Sequence, residues 1–293
     1  MLPLPVSKNI EAFLQSMTGK AVSLNSTLSM GGGCINDAVK IQTTTGIFFV
    51  KYNLEATYPA MFAREAAGLQ LLREAGEIRI PEVLHFDTAE NYSYLLLEYI
   101  STENQARNFW DIFGHALAAL HKHTQAFFGL DYGNYIGSLP QSNRQHSDWT
   151  DFFILERLEP MVSQARDKGE ISPQLVKQFE SLYDKLPGLI PSEKPSLLHG
   201  DLWNGNYRVD DKGNPCLIDP AVYYGHREMD LGMTRLFGGF SPQFYDSYDN
   251  AFPLEQGWES RVDLFNLYPL LVHVNLFGGG YASQVKQIVS KFV

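Results

Sequence analysis

Cysteine is scarce in this sequence, and so are the features of an exported or membrane-bound chain. The 293 residues include only two cysteines, Cys34 and Cys216, which are too few for a disulfide framework and fit a reducing compartment. No run of about 18 apolar residues, the length that spans a bilayer, occurs. The N-terminal segment lacks the basic start and continuous apolar stretch of a secretory signal. We therefore expect a cytoplasmic protein without a membrane partner.

Positive charge is also in short supply. Lysine and arginine number 23 against 33 aspartate and glutamate residues, which gives a formal net charge of −10, and no long block of like charges occurs. Nucleic acids and anionic membranes bind basic surfaces, so neither is an expected partner. An acidic total does not exclude a phosphate ligand, because a few cationic groups and backbone amides inside a cleft can bind one locally.

Apolar residues, in contrast, are plentiful: 44% of the chain is hydrophobic and 13% is aromatic, enough for a large core or for two lobes. Short alternating apolar runs separated by turn residues predict a β-rich first part with one helix. Beyond residue 100 the apolar residues recur at helical spacing. We predict an α+β fold with an N-terminal domain over 1–101 and a mainly helical domain over 102–293. The predicted strands cover 24–29, 38–42, 47–52, 83–86 and 93–99, and the predicted helices cover 60–75, 109–120, 149–166 and 173–186.

Segment 199–206, HGDLWNGN, carries the most informative polar residues. Asp201 and Asn206 have the spacing of the aspartate and asparagine in the protein-kinase catalytic loop, and Asp219 follows an apolar run that predicts a strand. Transfer of a γ-phosphoryl group needs a carboxylate that accepts the proton of the attacking hydroxyl, and oxygen ligands for Mg²⁺. We assign Asp201 as the catalytic base, and Asn206 and Asp219 as the metal ligands. The alternative is that these are ordinary turn residues, since Asp and Asn abound in turns.

A glycine-rich turn comes earlier, at Gly31, Gly32 and Gly33, and Cys34 follows it directly. Glycines let backbone amides approach phosphates closely, so we predict that these four residues contact a nucleotide. The alternative is a purely structural turn, because the segment matches neither GxGxxG nor the Walker pattern.

Three further positions fit a nucleotide site. Lys51 follows an apolar run near the end of the predicted strand 47–52, and Glu65 lies 14 positions later in the predicted helix. This is the order of the Lys–Glu pair that directs a kinase lysine towards the phosphates, although an exposed pair would contribute only ~0–1 kcal/mol to stability. At the end of the strand 93–99, the backbone groups of Glu98 and Ile100 are predicted to bind adenine.

Taken in order, these segments resemble the fructosamine kinase (ketosamine-3-kinase) family, a branch of the protein-kinase-like and aminoglycoside-phosphotransferase-like fold. Two stretches distinguish this family from other small-molecule kinases: 134–141 (NYIGSLPQ), which leads to 148–153, and 223–228 (YYGHRE), which leads to Asp230. By composition, the first predicts a loop followed by a helix start, and the second a loop whose polar groups face the cleft. We expect Asp230 to brace the catalytic loop.

The resemblance implies a two-lobed fold with MgATP between the lobes. It also implies transfer of phosphate to the 3-hydroxyl of a fructosamine, ribulosamine or erythrulosamine, which makes the adduct break down and so deglycates a protein or a metabolite. Trp203 and His226 are candidate substrate contacts, each with packing as the alternative. Cys34 is implied to be redox-sensitive, which allows either a monomer or a disulfide-linked dimer. The alternative is a small residue in a tight turn.

Two other functions remain open on the sequence. One is a kinase of the same fold that acts on an aminoglycoside, choline or homoserine, and the stretch 134–141 argues against it. The other is a nucleotide-binding pseudokinase, which the filled catalytic positions disfavour. The sequence does not distinguish between the sugars, nor between a protein lysine and a free amine.

Overall fold

The computed structural model describes residues 2–31 and 36–293. The chain divides into two compact units: the first consists of Met1–Arg107 and Arg208–Asp219, and the second of Asn108–Tyr207 and Pro220–Val293. The first unit is built around a sheet, and the second is mainly helical. This arrangement confirms the predicted α+β class. The sequence-based boundary after residue 101 stays a prediction, and it did not foresee the return of 208–219 to the first unit.

An antiparallel sheet forms the body of the first unit. A hydrogen bond of 2.8 Å from the Thr43 N–H to the Gly46 carbonyl closes the turn between the second and third strands. All the predicted strands of this sheet are confirmed, with shifts of a few residues at their ends. They are β1 (Leu24–Ser29), β2 (Asp37–Thr43), β3 (Ile47–Leu54), β4 (Val83–Ala89) and β5 (Tyr92–Glu98). Their order across the sheet is β1-β2-β3-β5-β4.

The prediction of a single helix in this part was wrong, because a helix also precedes the sheet. This helix, α1 (Leu4–Thr18), buries Val6, Ile10 and Leu14 in a cluster with sheet residues such as Ile41. Four-residue spacing puts these side chains on one face of a helix, so the helix is held by its packing on the sheet. The predicted helix is also present, as α2 (Met61–Ala75), and it ends at Gly76 as expected.

Helices make up most of the second unit. A π-helical turn, Ile154–Leu158, joins α4 (Trp149–Phe153) to α5 (Glu159–Asp167). Gly114 on α3 (Phe109–His121) allows a close approach of α9 (Pro242–Ala251), since a Cβ there would lie 2.4 Å from the Phe244 carbonyl oxygen. None of the helices in the described ranges is long and apolar enough to cross a bilayer. The helices are α3 (Phe109–His121), α4 (Trp149–Phe153), α5 (Glu159–Asp167), α6 (Pro173–Tyr183), α7 (Leu186–Leu189), α8 (Glu228–Leu236), α9 (Pro242–Ala251), α10 (Trp258–Phe265), α11 (Leu267–Phe277) and α12 (Tyr281–Val289).

Short strands pair outside the main sheet: β6 (Asn134–Ile136) with β7 (Leu139–Gln141), β8 (Ser196–Leu198) with β11 (Tyr223–Gly225), and β9 (Tyr207–Val209) with β10 (Pro215–Leu217). The expectation of a loop over 134–141 was wrong, because this stretch forms the β6–β7 hairpin. The expectation of a loop at 223–228 was wrong in its first half, which forms β11.

Candidate active site

Lys51, Glu65 and Asp219 form a charged cluster in the first unit. The Lys51 ammonium lies 2.7 Å from Glu65 Oε1 and 2.8 Å from Asp219 Oδ1. The Lys51 and Glu65 side chains are only 8% and 11% exposed, so they are not a solvated surface pair, whereas 40% of the Asp219 side chain is exposed. The pair predicted between β3 and α2 is thus formed, and a third charged group, whose carboxylate is open to a ligand, joins it.

The backbone and the electrostatics of this cluster are both unusual. Asp219 has a φ of +55°. Residues other than glycine seldom adopt this left-handed backbone conformation, and where they do, it is often at a functional site. Burial alone would lower the pKa of Lys51, but the carboxylates of Asp219 and Glu65 outweigh burial and raise it above its ordinary value. Lys51 therefore remains a cation at physiological pH, which is the charge state that suits a phosphate ligand.

Asp201 and Asn206 meet in the loop between β8 and β9, in the second unit. Asn206 Nδ2 donates one hydrogen bond of 2.9 Å to Asp201 Oδ2 and another of 2.8 Å to the Asp201 carbonyl. Asn206 is only 6% exposed, so its orientation is fixed. Because the nitrogen is used for Asp201, the amide oxygen is the atom left for a cation, and amide and carboxylate oxygens both suit Mg²⁺.

Asp230, in the first turn of α8, holds the backbone beside Asp201. Its carboxylate accepts hydrogen bonds from the N–H groups of His199 at 2.8 Å and Gly200 at 2.9 Å. Asp230 is 1% exposed. Burial alone would raise the pKa of its carboxyl group, but its hydrogen bonds to His121 and to the Gly200 N–H lower it below its ordinary value. The prediction that Asp230 braces the loop around Asp201 is confirmed, whereas the catalytic role of that loop stays a prediction.

The predicted nucleotide residues are described only in part. Gly31 is exposed, whereas Gly32, Gly33 and Cys34 lie outside the described residues, so the phosphate-binding turn and the redox role of Cys34 stay predictions. Glu98 donates its N–H to the Glu82 carbonyl at 2.9 Å. Within 2–31 and 36–293, the backbone N–H of Ile100 makes no hydrogen bond, which fits a group that would bind adenine.

The two candidate substrate residues have different surroundings. Trp203 is half-buried, with its ring centroid 5.7 Å from that of Phe237. The His226 side chain is 0% exposed, and its ring stacks on Phe265 with centroids 4.9 Å apart. Burial lowers the pKa of His226 to about 4. A side chain without exposed surface is placed for packing, so only Trp203 remains a candidate for substrate contact.

The expectation that the polar groups of 223–228 face a cleft was wrong for its last three residues. His226, Arg227 and Glu228 are buried. Arg227 Nη2 lies 2.7 Å from a Glu193 carboxylate oxygen, and Glu228 Oε1 lies 2.6 Å from Arg261 Nη2. Buried charges need such partners, and this explains why the segment turns its polar groups inwards.

Arg79 stabilises the part of the first unit that carries Glu98 and Asp219, and no sequence pattern singles it out. Its guanidinium lies 2.7 Å from Glu98 Oε1 and 3.1 Å from Asp210 Oδ2. Its carbonyl accepts a hydrogen bond of 2.9 Å from the Leu217 N–H. Arg79 thereby ties the end of β5 to the β9–β10 hairpin that leads to Asp219. A single arginine carries no spacing signal, so only the folded chain reveals this role.

Comparison with known proteins adds independent information. The family model described as "Fructosamine kinase" matches residues 6–293. The chloroplastic protein-ribulosamine 3-kinase of Arabidopsis thaliana is 39% identical over 280 residues, which are 94% of this chain and 85% of that protein. The crystal structure of a Haemophilus somnus protein, provisionally named a fructosamine-3-kinase, has a TM-score of 0.88 at 28% identity and covers 97% of this chain and 96% of its own.

A more distant solved structure shares the fold alone. The aminoglycoside phosphotransferase APH(4)-Ia has a TM-score of 0.63 at 15% identity, over 96% of this chain and 98% of its own. It agrees with the predicted fold, and the match of the family model over nearly the whole chain confirms the resemblance noted in the sequence. The chain therefore belongs to the fructosamine kinase family of phosphotransferase enzymes.

Proposed function

We propose that this enzyme transfers the γ-phosphoryl group of ATP to the 3-hydroxyl of a ketosamine, the adduct of a sugar and an amine. The observation that carries the proposal is the Asp201–Asn206 pair, held in a loop whose backbone is anchored by a buried carboxylate. Family membership supports the substrate class, as does the name of the Arabidopsis relative, a protein-ribulosamine 3-kinase.

Asp201 is the proposed base. The 3-hydroxyl oxygen attacks the γ-phosphorus, the bond from that phosphorus to the oxygen bridging the β-phosphate breaks, and the hydroxyl proton passes to the Asp201 carboxylate. A carboxylate in this role orients the hydroxyl and accepts its proton. Asn206 fixes the carboxylate through its 2.9 Å hydrogen bond, so the base is oriented before the substrate arrives.

Lys51 is proposed to bind the α- and β-phosphates, with Glu65 holding its ammonium in place. The amide oxygen of Asn206 and the exposed carboxylate of Asp219 are the proposed ligands of Mg²⁺, which would neutralise the phosphate charge. Two protein ligands suffice, because Mg²⁺ usually keeps waters and substrate phosphates as its other ligands. The backbone of Glu98 and Ile100 is proposed to bind adenine.

A phosphate on the 3-oxygen makes a ketosamine prone to fall apart and release its amine. The proposed role is therefore deglycation, with a glycated protein lysine or a glycated small amine as the partner. Trp203, half-buried beside the catalytic residues in sequence, is the proposed contact for the sugar.

A coupled ATP-consumption assay tests this function. Synthetic fructosamine, ribulosamine and erythrulosamine are compared with aminoglycosides and choline at equal concentrations, with Asp201→Asn as the inactive control. We expect turnover with at least one ketosamine and none above background with the controls. Turnover with an aminoglycoside or choline alone would refute the ketosamine proposal. Nucleotide binding without turnover of any compound would point to a pseudokinase.

A further inference from the structure

A continuous row of buried polar side chains lies behind the catalytic loop. Asp230, which holds the His199 and Gly200 amides, is 3.2 Å from His121 Nε2. His121 Nδ1 in turn lies 2.8 Å from the Tyr248 hydroxyl. The three residues are 1%, 1% and 0% exposed, respectively. They come from α8, α3 and α9, so three helices of the second unit converge on one loop.

The donors and acceptors in this row have a single consistent direction. The Asp230 carboxylate accepts from two backbone amides, and an ionised carboxylate can only accept. His121 Nε2 therefore carries a proton and donates it to Asp230. A neutral histidine with its proton on Nε2 is an acceptor at Nδ1, so the Tyr248 hydroxyl donates to that nitrogen.

We propose that His121 and Tyr248 are positioning residues for phosphoryl transfer, which hold the Asp230 carboxylate in the orientation that fixes the backbone before Asp201. The inference rests on the proposed role of Asp201 as the base. Neither residue touches the reacting atoms; both act through Asp230.

The physical reason lies in the tautomer of His121. If Tyr248 did not donate to Nδ1, the imidazole proton could move there, and the lone pair of Nε2 would then face the Asp230 carboxylate. Two acceptors in contact repel each other, so Asp230 would shift and release the His199 and Gly200 amides. Histidine that is hydrogen-bonded to a carboxylate has the same dependence on tautomer in serine hydrolases. Displacing a catalytic group by about 1 Å can lower the rate by ~10²-fold.

Tyr248→Phe is the mildest test, since it removes one hydroxyl and keeps the ring. We expect kcat to fall about tenfold, while the KM for MgATP changes less than about twofold, because only the base is displaced. Hydrogen exchange at the Gly200 amide should become faster. The matched control is Tyr183→Phe, which removes a buried hydroxyl that has no hydrogen-bond partner among the described residues and should leave both quantities unchanged.

A second pair of variants tests His121 directly. His121→Gln keeps an N–H that can reach Asp230 and should retain more of kcat than His121→Leu, which has none. The double variant of Tyr248→Phe with His121→Leu should be no slower than His121→Leu alone, because both act through one carboxylate. Unchanged kcat in Tyr248→Phe, or a KM for MgATP that rises in step with the loss of kcat, would overturn the proposal. The exchange measurement needs no substrate, so it tests the hydrogen-bonded row independently of the proposed base. If exchange at Gly200 were faster in Tyr248→Phe but Asp201→Asn were active, the role of Asp201 would be refuted and the hydrogen-bonded row would not.

Discussion

At the scale of single residues, three aspartates have different surroundings. Asp219 is partly exposed and paired with a cation, Asp201 is fixed by an amide, and Asp230 is buried and accepts from two backbone amides. These surroundings suit three tasks: to bind a metal, to accept a proton and to hold a loop. The three residues are of one type, so the role that we propose for each carboxylate rests on its neighbours.

For Asp201→Asn, we expect MgATP to bind as in the wild type and phosphoryl transfer to fall by ~10²–10⁴-fold, since the amide keeps the shape of the side chain but cannot accept the proton. Steady-state kinetics and calorimetry measure the two quantities. Asp131→Asn, at an exposed position, is the control and should behave as the wild type. Near-wild-type turnover in Asp201→Asn would remove this residue from the mechanism.

Asp219→Ala should instead abolish Mg²⁺-dependent nucleotide binding. The variant loses the proposed metal ligand and leaves phosphate charge uncompensated. Titration calorimetry with ATP, in the presence and absence of Mg²⁺, measures the effect, and Asp219→Asn separates the lost charge from a change in backbone conformation, because Asn tolerates a positive φ. Unchanged MgATP affinity in both variants would contradict the assignment.

At the scale of elements, the catalytic loop depends on the segment that follows Asp219. The Ala221 N–H donates to the His199 carbonyl at 2.9 Å, and Gly200, with a φ of +83°, lies so close to Ala221 that a Cβ would be 2.1 Å from its carbonyl oxygen. Only glycine fits between the two backbones. The glycine of the motif HGD is thus required by packing and not by chemistry.

Gly200→Ala should be much more costly than an alanine at another glycine with positive φ. Gly169 has a φ of +74°, and no atom lies within 4 Å of the place that an added methyl group would take, so Gly169→Ala should lower the free energy of unfolding by only about 1 kcal/mol. Gly200→Ala adds a backbone clash, and we expect a loss of about 3 kcal/mol or more. Urea unfolding of both variants measures the difference. Equal losses would show that the loop can move away from Ala221.

The elements that could be predicted are those with local sequence patterns. Features that depend on long-range contacts could not be predicted. The strands around the Thr43–Gly46 turn and the helix ended by Gly76 were predicted because their signals are local. Helix α1 was missed although Val6, Ile10 and Leu14 have helical spacing, because Pro3 and Pro5 interrupt the pattern at its start. Proline is in fact well suited to the first turn of a helix.

The site itself was predictable to a similar degree. The Lys51–Glu65 and Asp201–Asn206 pairs could be inferred because kinase-like spacing constrains them. The contacts of His121 with Asp230 and Tyr248 could not, because the partners lie 109 and 127 positions away and no periodicity encodes them. The burial of His226 could not be predicted either, because no sequence pattern distinguishes a buried histidine from an exposed one in a polar segment.

At the scale of the whole molecule, stability depends on polar groups that the second unit buries. His226 packs against Trp149 and Phe265 and lies 3.8 Å from a Glu193 carboxylate oxygen. Burial lowers the pKa of His226 to about 4, compared with about 6.5 for an unfolded chain. The unfolded state therefore binds a proton more readily than the folded state.

The sign of the pH effect follows from this difference. Above pH ~6.5 both states are neutral at His226 and nothing is lost, whereas between pH ~6.5 and ~4 the unfolded chain is protonated first and stability falls by about 3 kcal/mol. His226→Phe should show a smaller loss of stability between pH 7.5 and 4.5 than the wild type. Exposed His115→Phe is the control and should follow the wild type. An identical pH dependence in all three proteins, measured by urea unfolding, would refute this account.

The position of the phosphate in the product tests the central claim most directly. The enzyme is incubated with ATP and the ketosamine that it turns over fastest, and NMR locates the phosphorylated carbon. We predict phosphorus coupling to the proton on carbon 3, followed by release of the free amine. Phosphate on any other carbon, or hydrolysis of ATP with the ketosamine unchanged, would contradict the account.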